Sequence, residues 1–427
     1  MKKLMLIMFL STQIVIGFGQ TVIQGIINSD VTLIKDESPY LVVGDLVVFP
    51  KWKLTIEPGV ELRFANGVKL QIRGTLEAFG TETDSITFLS NTGTAMGLWQ
   101  GIEIINTLGG NASFDYCNFS HASSAINEEC CWGGIDEVKN SKFTFNTIAL
   151  GGYTGNPALV EHCYFANNDK CVIHADKIIN DCIFENNKYG LYETERIDVS
   201  NSTFTNHSQI ALYGGRGDLT NCIITNNNVG VRAFFEGFAI EDCDISNNQV
   251  GIELNDYDRY VPPVINSTIC HNRQYNVINH TMCDVDLYDN CWCTSDSTTV
   301  ENLIYDAYDD YNVGFVNYTL YTDDCSHAIY KTHKAEGYTE YLSIQELTDN
   351  AVIYPNPASS TLFIKNDEKI INNIRLYDYT GRLLMERLDV DSNPIELNVS
   401  EVIPGLYIMR LATQNNKVEF KKVIIIR

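Results

Sequence analysis

Tyr192, Arg232 and Glu253 each follow an apolar residue (Leu191, Val231, Ile252) that closes an Asn-Asn-x-x-Gly stretch. Equivalent positions in a repeated segment place these three side chains on one face, in step with one another. Glu193, Tyr213, Phe234 and Tyr257 lie close to them in the chain. Aromatic rings stack on the apolar faces of pyranoses, while carboxylate and guanidinium groups bind hydroxyls, so the set reads as a glycan-binding stripe. The competing explanation is a solvated sheet face carrying large residues that suit strands. Cleavage asks for more. A hydrolase needs two carboxylates at a defined separation, and a lyase needs a base with a group that neutralises a uronate. No short motif of either kind stands in the chain. His174, near the same face, reads as a hydrogen-bonded histidine rather than a general base. Binding without catalysis is therefore the first expectation. The alternatives are a polysaccharide lyase or glycoside hydrolase working on this face, and a structural or adhesive surface protein with a protein partner.

Metal chemistry has less behind it. Acidic residues cluster at Asp256/Asp258, Asp306/Asp309/Asp310 and Asp323/Asp324. Calcium takes several oxygen ligands, so these could hold it, yet none has the spacing of a known calcium loop and a solvated acidic surface explains them. Cys291-Trp292-Cys293 suggests a metal, but no further Cys or His stands at ligand spacing in the sequence, which argues against zinc. No cofactor is implied.

The net charge of −24 disfavours nucleic acid as a partner and suits a solvated exterior. The first residues, "MKKLMLIMFLSTQIVIGFGQ", run from a basic pair through an apolar core to Gly17 and Gly19. That pattern reads as a signal peptide over residues 1–19, cut before Gln20. No later apolar run is long enough to be a transmembrane segment. Thirteen cysteines in an exported chain invite disulfides. The candidates are Cys130, Cys131, Cys171, Cys270, Cys283, Cys291, Cys293 and Cys325. Cys117, Cys163, Cys182, Cys222 and Cys243 instead lead successive copies of a repeat and are expected as buried thiols.

That repeat must position the stripe. Its lead residues are Cys117, Ser141, Cys163, Cys182, Ser202, Cys222, Cys243 and Ser267, spaced 24, 22, 19, 20, 20, 21 and 24 residues apart. A period near twenty is too short for helical repeats and signals a solenoid. Within a copy the apolar residues alternate, as in Cys182 and Phe184 or Cys243 and Ile245, which argues for half-buried strands. Asn-Asn and Gly mark the turns because they accept left-handed backbone angles. Short strands joined by such turns describe the coils of a β-helix. Residues 21 to 114 lack the Cys-led line but alternate in the same way, and they read as wider coils, with residues 21 to 50 covering one end.

"LTIEPGVELRF", "GTLEAFGT", "ITFLS" and "WQGIEI", followed by the Asn-Asn-x-x-Gly units, resemble bacterial secreted right-handed parallel β-helix proteins of the pectate-lyase-like architecture. "DNCWCTSDSTTVENLIYDAYDDYNVGFVNYTLY", from Asp289, resembles their closing segment, with Cys293 standing where that turn carries glycine. The likeness covers residues 21 to 325. Residues 322–347 are polar and unrepeated, a linker. The final segment, 348–427, pairs strands across regular turns, as a small immunoglobulin-like β-sandwich would. Its Tyr354-Pro355-Asn356-Pro357, the turn at Gly381-Arg382, and Pro404-Gly405-Leu406-Tyr407 resemble the C-terminal sorting domain of the bacterial type IX secretion system. This likeness implies a partner, the secretion machinery, and a destination on the cell surface or outside the cell. The expected fold is thus all-β, with a signal peptide at 1–19, a right-handed parallel β-helix at 20–321, a linker, and a sorting domain at 348–427.

Overall fold

A computed structural model describes residues 20–426 except 130–133, 153–157, 175–176, 195, 256–262, 320, 324, 326–350, 367–370, 378–382, 389–393, 401 and 414–417. The proposed signal peptide, most of the linker, Gly381 and Arg382 lie outside these residues. The chain forms two compact units, a solenoid and a C-terminal domain.

The solenoid is a parallel β-structure in which each strand pairs with its counterpart one coil on. One column of strands runs Lys142–Thr144, Tyr164–Ala166, Ile183–Glu185, Thr203–Thr205, Ile223–Thr225, Asp244–Ser246, Thr268–Cys270. Its register sets Phe143, Phe165, Phe184, Phe204, Ile224, Ile245 and Ile269 in line. The phenylalanines stack inside the coils, with ring centroids 4.8 Å apart for Phe143–Phe165, 4.6 Å for Phe165–Phe184 and 4.4 Å for Phe184–Phe204. That spacing is the strand separation itself, about 4.8 Å, so a ring at this position meets its copy face to face. Offset ring pairs add stabilisation beyond the area they bury.

Two polar ladders flank the stack. At the first turn Asn146, Asn168, Asn187, Asn227, Asn248 and Asn272 are buried. The side-chain oxygen of each accepts the backbone N–H of the preceding coil's turn residue, as Asn168 does from Asn146 and Asn248 from Asn227, both at 2.9 Å. The residues just before them, among them Asn186, Asn226 and Asn247, take the left-handed φ of 56°, 60° and 59° that the turn requires. The second ladder is the lead position. Ser141 Oγ accepts the N–H of Cys117 at 3.0 Å, Cys182 Sγ that of Cys163 at 3.4 Å, and Ser267 Oγ that of Cys243 at 3.1 Å. Each thiol also lies within donating distance of a carbonyl one coil back, such as Cys117 to Ala78 at 3.3 Å. Cys and Ser share this position because the site needs a small group that both accepts and donates. All five lead cysteines are buried thiols, as expected, and burial pushes those of Cys117, Cys163 and Cys243 well up, which keeps them inert.

Residues 21 to 50 differ from expectation. Thr21–Ile27, Val31–Leu33 and Tyr40–Val48 are strands of the solenoid, paired in parallel with the next coil, rather than a cover over its end. At the far end Cys293 adopts φ 58°, the backbone angle that a glycine would supply in the resembling turn, and Asp296 caps the short helix Ser297–Glu301. Ile304–Tyr305 then adds one more parallel pairing.

The C-terminal domain is antiparallel. Ala351–Tyr354, Thr361–Asn366 and Ile395–Asn398 form one sheet, and Leu383–Leu388, Ile371–Tyr377, Gly405–Thr413 and Val418–Ile425 the other. Leu362, Ile364, Ile374, Leu376, Met409, Leu411 and Val423 lie in a single buried cluster, so the architecture is that of a small β-sandwich. Among the described residues no helix is long and apolar enough to cross a membrane.

Candidate ligand-binding face

A second column of strands carries the stripe: Lys170–Ile173, Tyr189–Thr194, Ile210–Thr220, Val229–Glu241, Val250–Leu254, Tyr275–Asn279. Leu191, Leu212, Val231 and Ile252 are buried within the coils. Their outward neighbours fall into register as Ile173, Tyr192, Tyr213, Arg232, Glu253, Ile278 and Tyr305. The structure thus brings Tyr192, Tyr213, Arg232 and Glu253 onto four consecutive coils, and Phe234 joins them through its ring, 5.0 Å from that of Tyr213. Tyr192 meets Tyr213 edge-on at 5.6 Å. Tyr257 lies outside the described residues.

A parallel row of outward residues runs Lys170, Tyr189, Ile210, Val229, Val250, Tyr275. Ile210, Val229 and Val250 are nonetheless buried, because Tyr189, Tyr213 and Ile278 pack over them. Between the rows Gly190, Gly230 and Gly251 turn inward; a Cβ on Gly190 would come 2.4 Å from the Ala211 carbonyl oxygen. The small residue there leaves room for the backbone carbonyl of the next coil. This satellite cluster was not read from the sequence, though the alternation of Gly and aliphatic residues at those positions signals it.

The charges of the stripe are committed to one another. Arg232 donates from Nε and Nη2 to Glu253 Oε2 at 2.9 and 2.7 Å. The other Glu253 oxygen accepts from Asn255 at 3.4 Å and lies 3.8 Å from His280 Nε2. Lys170 Nζ sits 4.0 Å above the Tyr192 ring, a cation–π contact. Partial burial and the hydrogen bond with Glu193 push the Tyr192 hydroxyl up to about 12, so it stays protonated and able to donate. His174 stands one coil before Glu193, 3.8 Å from its carboxylate. A shallow depression of about 540 Å³ is lined by other residues, among them Phe145, Asn167, Asn186 and Lys188 at the asparagine turn.

The acidic cluster at Asp306 and Asp309 works within the chain. Asp306 accepts the N–H groups of Tyr308 and Val316, and Asp309 that of Asp306, which knits a loop. Asp256, Asp258 and Asp324 lie outside the described residues. Two cysteine expectations change. Cys270–Cys293 and Cys291–Cys325 are disulfides, but Cys171 is a buried thiol and Cys283 joins neither bridge; Cys130 and Cys131 lie outside the described residues. Cys171 sits beside Asn168 in the coil interior, its sulfur 4.0 Å from the Asn168 amide nitrogen. The argument against a Cys or His cluster also fails. Folding brings Cys270, His271 and Cys293 together, and Cys291, Cys293 and Cys325, each trio with ligand atoms within 4.8 Å.

In the C-terminal domain Tyr354, Pro355, Asn356 and Pro357 are exposed. Asn356 Oδ1 accepts the N–H of Ile424 at 2.8 Å, and the Ala358 N–H donates to the Ile424 carbonyl at 2.8 Å, so this segment clasps the last strand. Pro404 and Gly405 are exposed at the start of a strand that continues through Leu406, and Tyr407 is buried with its hydroxyl donating to the Ile403 carbonyl. Residues 352–426 match a family described as "Secretion system C-terminal sorting domain". The chain is secreted. Its route is type IX export, and its destination is the cell surface or the extracellular space. A stretch of 71 residues, 17% of the chain, is 46% identical to Protein bark beetle of Drosophila melanogaster. The chain spans 2% of that protein's length.

Proposed function

We propose that the solenoid is a surface-displayed binding protein that retains extracellular glycan on the Tyr192–Glu253 stripe without cleaving it. In this reading residues 1–19 start export as a signal peptide, and the sorting domain completes it. The observation that carries the reading is the register of Tyr192, Tyr213, Arg232 and Glu253 on consecutive coils, with Phe234 against Tyr213. Such a row repeats every coil, about 4.8 Å, and offers ring faces, a protonated phenol and a fixed ion pair to an extended chain of sugars. The same ion pair speaks against catalysis. Glu253 is held by Arg232 and bordered by Asn255 and His280, so this carboxylate is engaged rather than poised as an acid or base.

Co-sedimentation with insoluble polysaccharides, followed by sizing of the soluble products, tests both halves. Retention of the full-length chain, lost at least about tenfold (~1.4 kcal/mol) when Tyr192, Arg232 and Glu253 are replaced together by Ala, is the expected result. Unchanged retention by the triple variant removes this face from consideration. Shortened polysaccharide would make the protein an enzyme.

A further inference from the structure

The four bridged cysteines lie closer to one another than two independent disulfides require. Cys270 ends the strand Thr268–Cys270, and Cys291 stacks on the same strand in the next coil, its N–H donating to Ser267 and its carbonyl accepting from Ile269, both at 2.8 Å. Cys293 and Cys325 sit outside them, partly exposed, whereas Cys270 and Cys291 are 2% and 3% accessible. Each bridge therefore joins one buried sulfur to one accessible sulfur. The two accessible sulfurs, which belong to different bridges, are 3.2 Å apart. His271 Nδ1 lies 3.5 Å from Cys270 Sγ.

We propose that this knot is a thiol–disulfide exchange centre. Its substrate is a dithiol reductant, which enters at Cys325 and whose electrons reach the buried Cys270. The attacking thiolate of the reductant bonds to Cys325 Sγ, and the Cys325–Cys291 bond breaks with its electron pair going to Cys291, which takes up a proton. The second thiol of the reductant, its proton lost to solvent, then displaces Cys325 as a thiolate and leaves as the cyclic disulfide, so two electrons and one proton, that on Cys291, have entered the protein. The Cys325 thiolate now stands 3.2 Å from Cys293. It bonds to Cys293 Sγ, and the Cys293–Cys270 bond breaks with its electron pair on Cys270. The proton for Cys270 comes through His271, the adjacent ring, which is reprotonated from solvent. A stabilised leaving thiol speeds such a step. This exchange consumes no further reductant. The half-reduced protein then carries Cys293–Cys325, with thiols at Cys270 and Cys291, and neither residue of the last stacked pair remains tied to the segment outside it.

The test is limited reduction of the full chain with dithiothreitol, acid quenching, alkylation and mapping of the alkylated cysteines by mass spectrometry. The expected half-reduced species has Cys270 and Cys291 alkylated and Cys293 bridged to Cys325. Half-reduced protein with Cys291 and Cys325 alkylated and Cys270–Cys293 intact would overturn the proposal. The Cys291→Ser variant gives a second reading that needs no reduction. Its unpaired Cys325 is expected to capture Cys293 and leave Cys270 alkylatable, and a variant in which Cys325 alone alkylates would again overturn the exchange. Adding His271→Ala should slow the appearance of the Cys270 thiol without altering which bridge forms at the end. An unchanged rate would remove His271 as the proton donor.

Discussion

The solenoid and the C-terminal domain are both all-β, yet they hold themselves together in opposite ways. In the solenoid every strand pairs with a near copy of itself, so one good residue is stacked many times: phenylalanine at 4.4 to 4.8 Å, asparagine through its amide, Cys or Ser through a shared hydrogen bond. In the C-terminal domain each strand has a different antiparallel partner, and the core is a mixed cluster in which no position repeats. The first design spreads stability along a line of nearest-neighbour contacts. The second concentrates it in one small sandwich that must form as a whole. The comparison teaches that the solenoid should tolerate local damage that the sorting domain would not, and that the two should fail separately.

Removing residues 348–427 gives the largest expected effect. Export to the surface should fall to background, with the truncated chain accumulating in the periplasm, while circular dichroism of that chain still reports a β-rich fold. Cell fractionation and surface proteolysis make the measurement. Truncated protein found outside the cell at the full-length level would contradict the sorting assignment. Loss of β-structure on truncation would instead break the separation between the two units.

At Lys177 the stacking logic of the solenoid is suspended. Lys177 and Glu128 form an ion pair at 2.9 Å with both side chains completely buried, and the second Glu128 oxygen accepts the N–H of Ile135 at 2.7 Å. No copy of this pair recurs at the equivalent positions, where Ile197 and Ala158 follow the core pattern. Removing one partner leaves a buried charge alone, so Lys177→Met should cost about 3–5 kcal/mol. The exposed pair Lys188–Asp169, about 3.1 Å apart, should cost less than about 1 kcal/mol when broken. Denaturant melts of the two variants provide the check. Equal losses would mean that burial does not set the value of a charge pair in this coil.

The repeat, its inward and outward faces and the register of Tyr192, Arg232 and Glu253 were legible because they are local: alternation and turn residues set them within one copy. The reason for Cys and Ser at the lead position was only half legible. Small size could be read, but the hydrogen bond from each to the neighbouring coil appears only once copies are stacked. The cysteine cluster was missed for the same reason in stronger form. Cys270 and Cys325 are separated by most of two coils and the closing segment, and no spacing rule joins them. The sorting motif stood in plain order, whereas the clasp of Asn356 on Ile424 spans almost the whole domain. Contacts between distant residues were the part that the sequence could not display.

A modest gain at neutral pH, rather than a loss, comes from repairing a fault in the asparagine ladder. His207 stands where Asn187 and Asn227 stand one coil away on either side. Its N–H donates to Asn227 Oδ1 at 2.9 Å, and Nδ1 lies 2.9 Å from the same oxygen, which places the ring proton on Nδ1. Nε2 is left buried with no partner, and His207 has no side-chain carbonyl to offer the Asn187 amide. Burial, against the opposing effect of the Asn227 contact, holds the imidazole down at about 4. A base whose folded value lies below its ordinary 6.5 binds fewer protons folded than unfolded in between. Its contribution to stability is therefore complete above about pH 6.5 and is lost as pH falls through 4. His207→Asn restores the ladder and should stabilise the solenoid by about 1 kcal/mol at pH 7. The gain over the parent should widen steadily from pH 6.5 to pH 4, because the variant has no group to protonate there. Parallel stability curves for the two proteins across that window would show that His207 does not titrate within the coil.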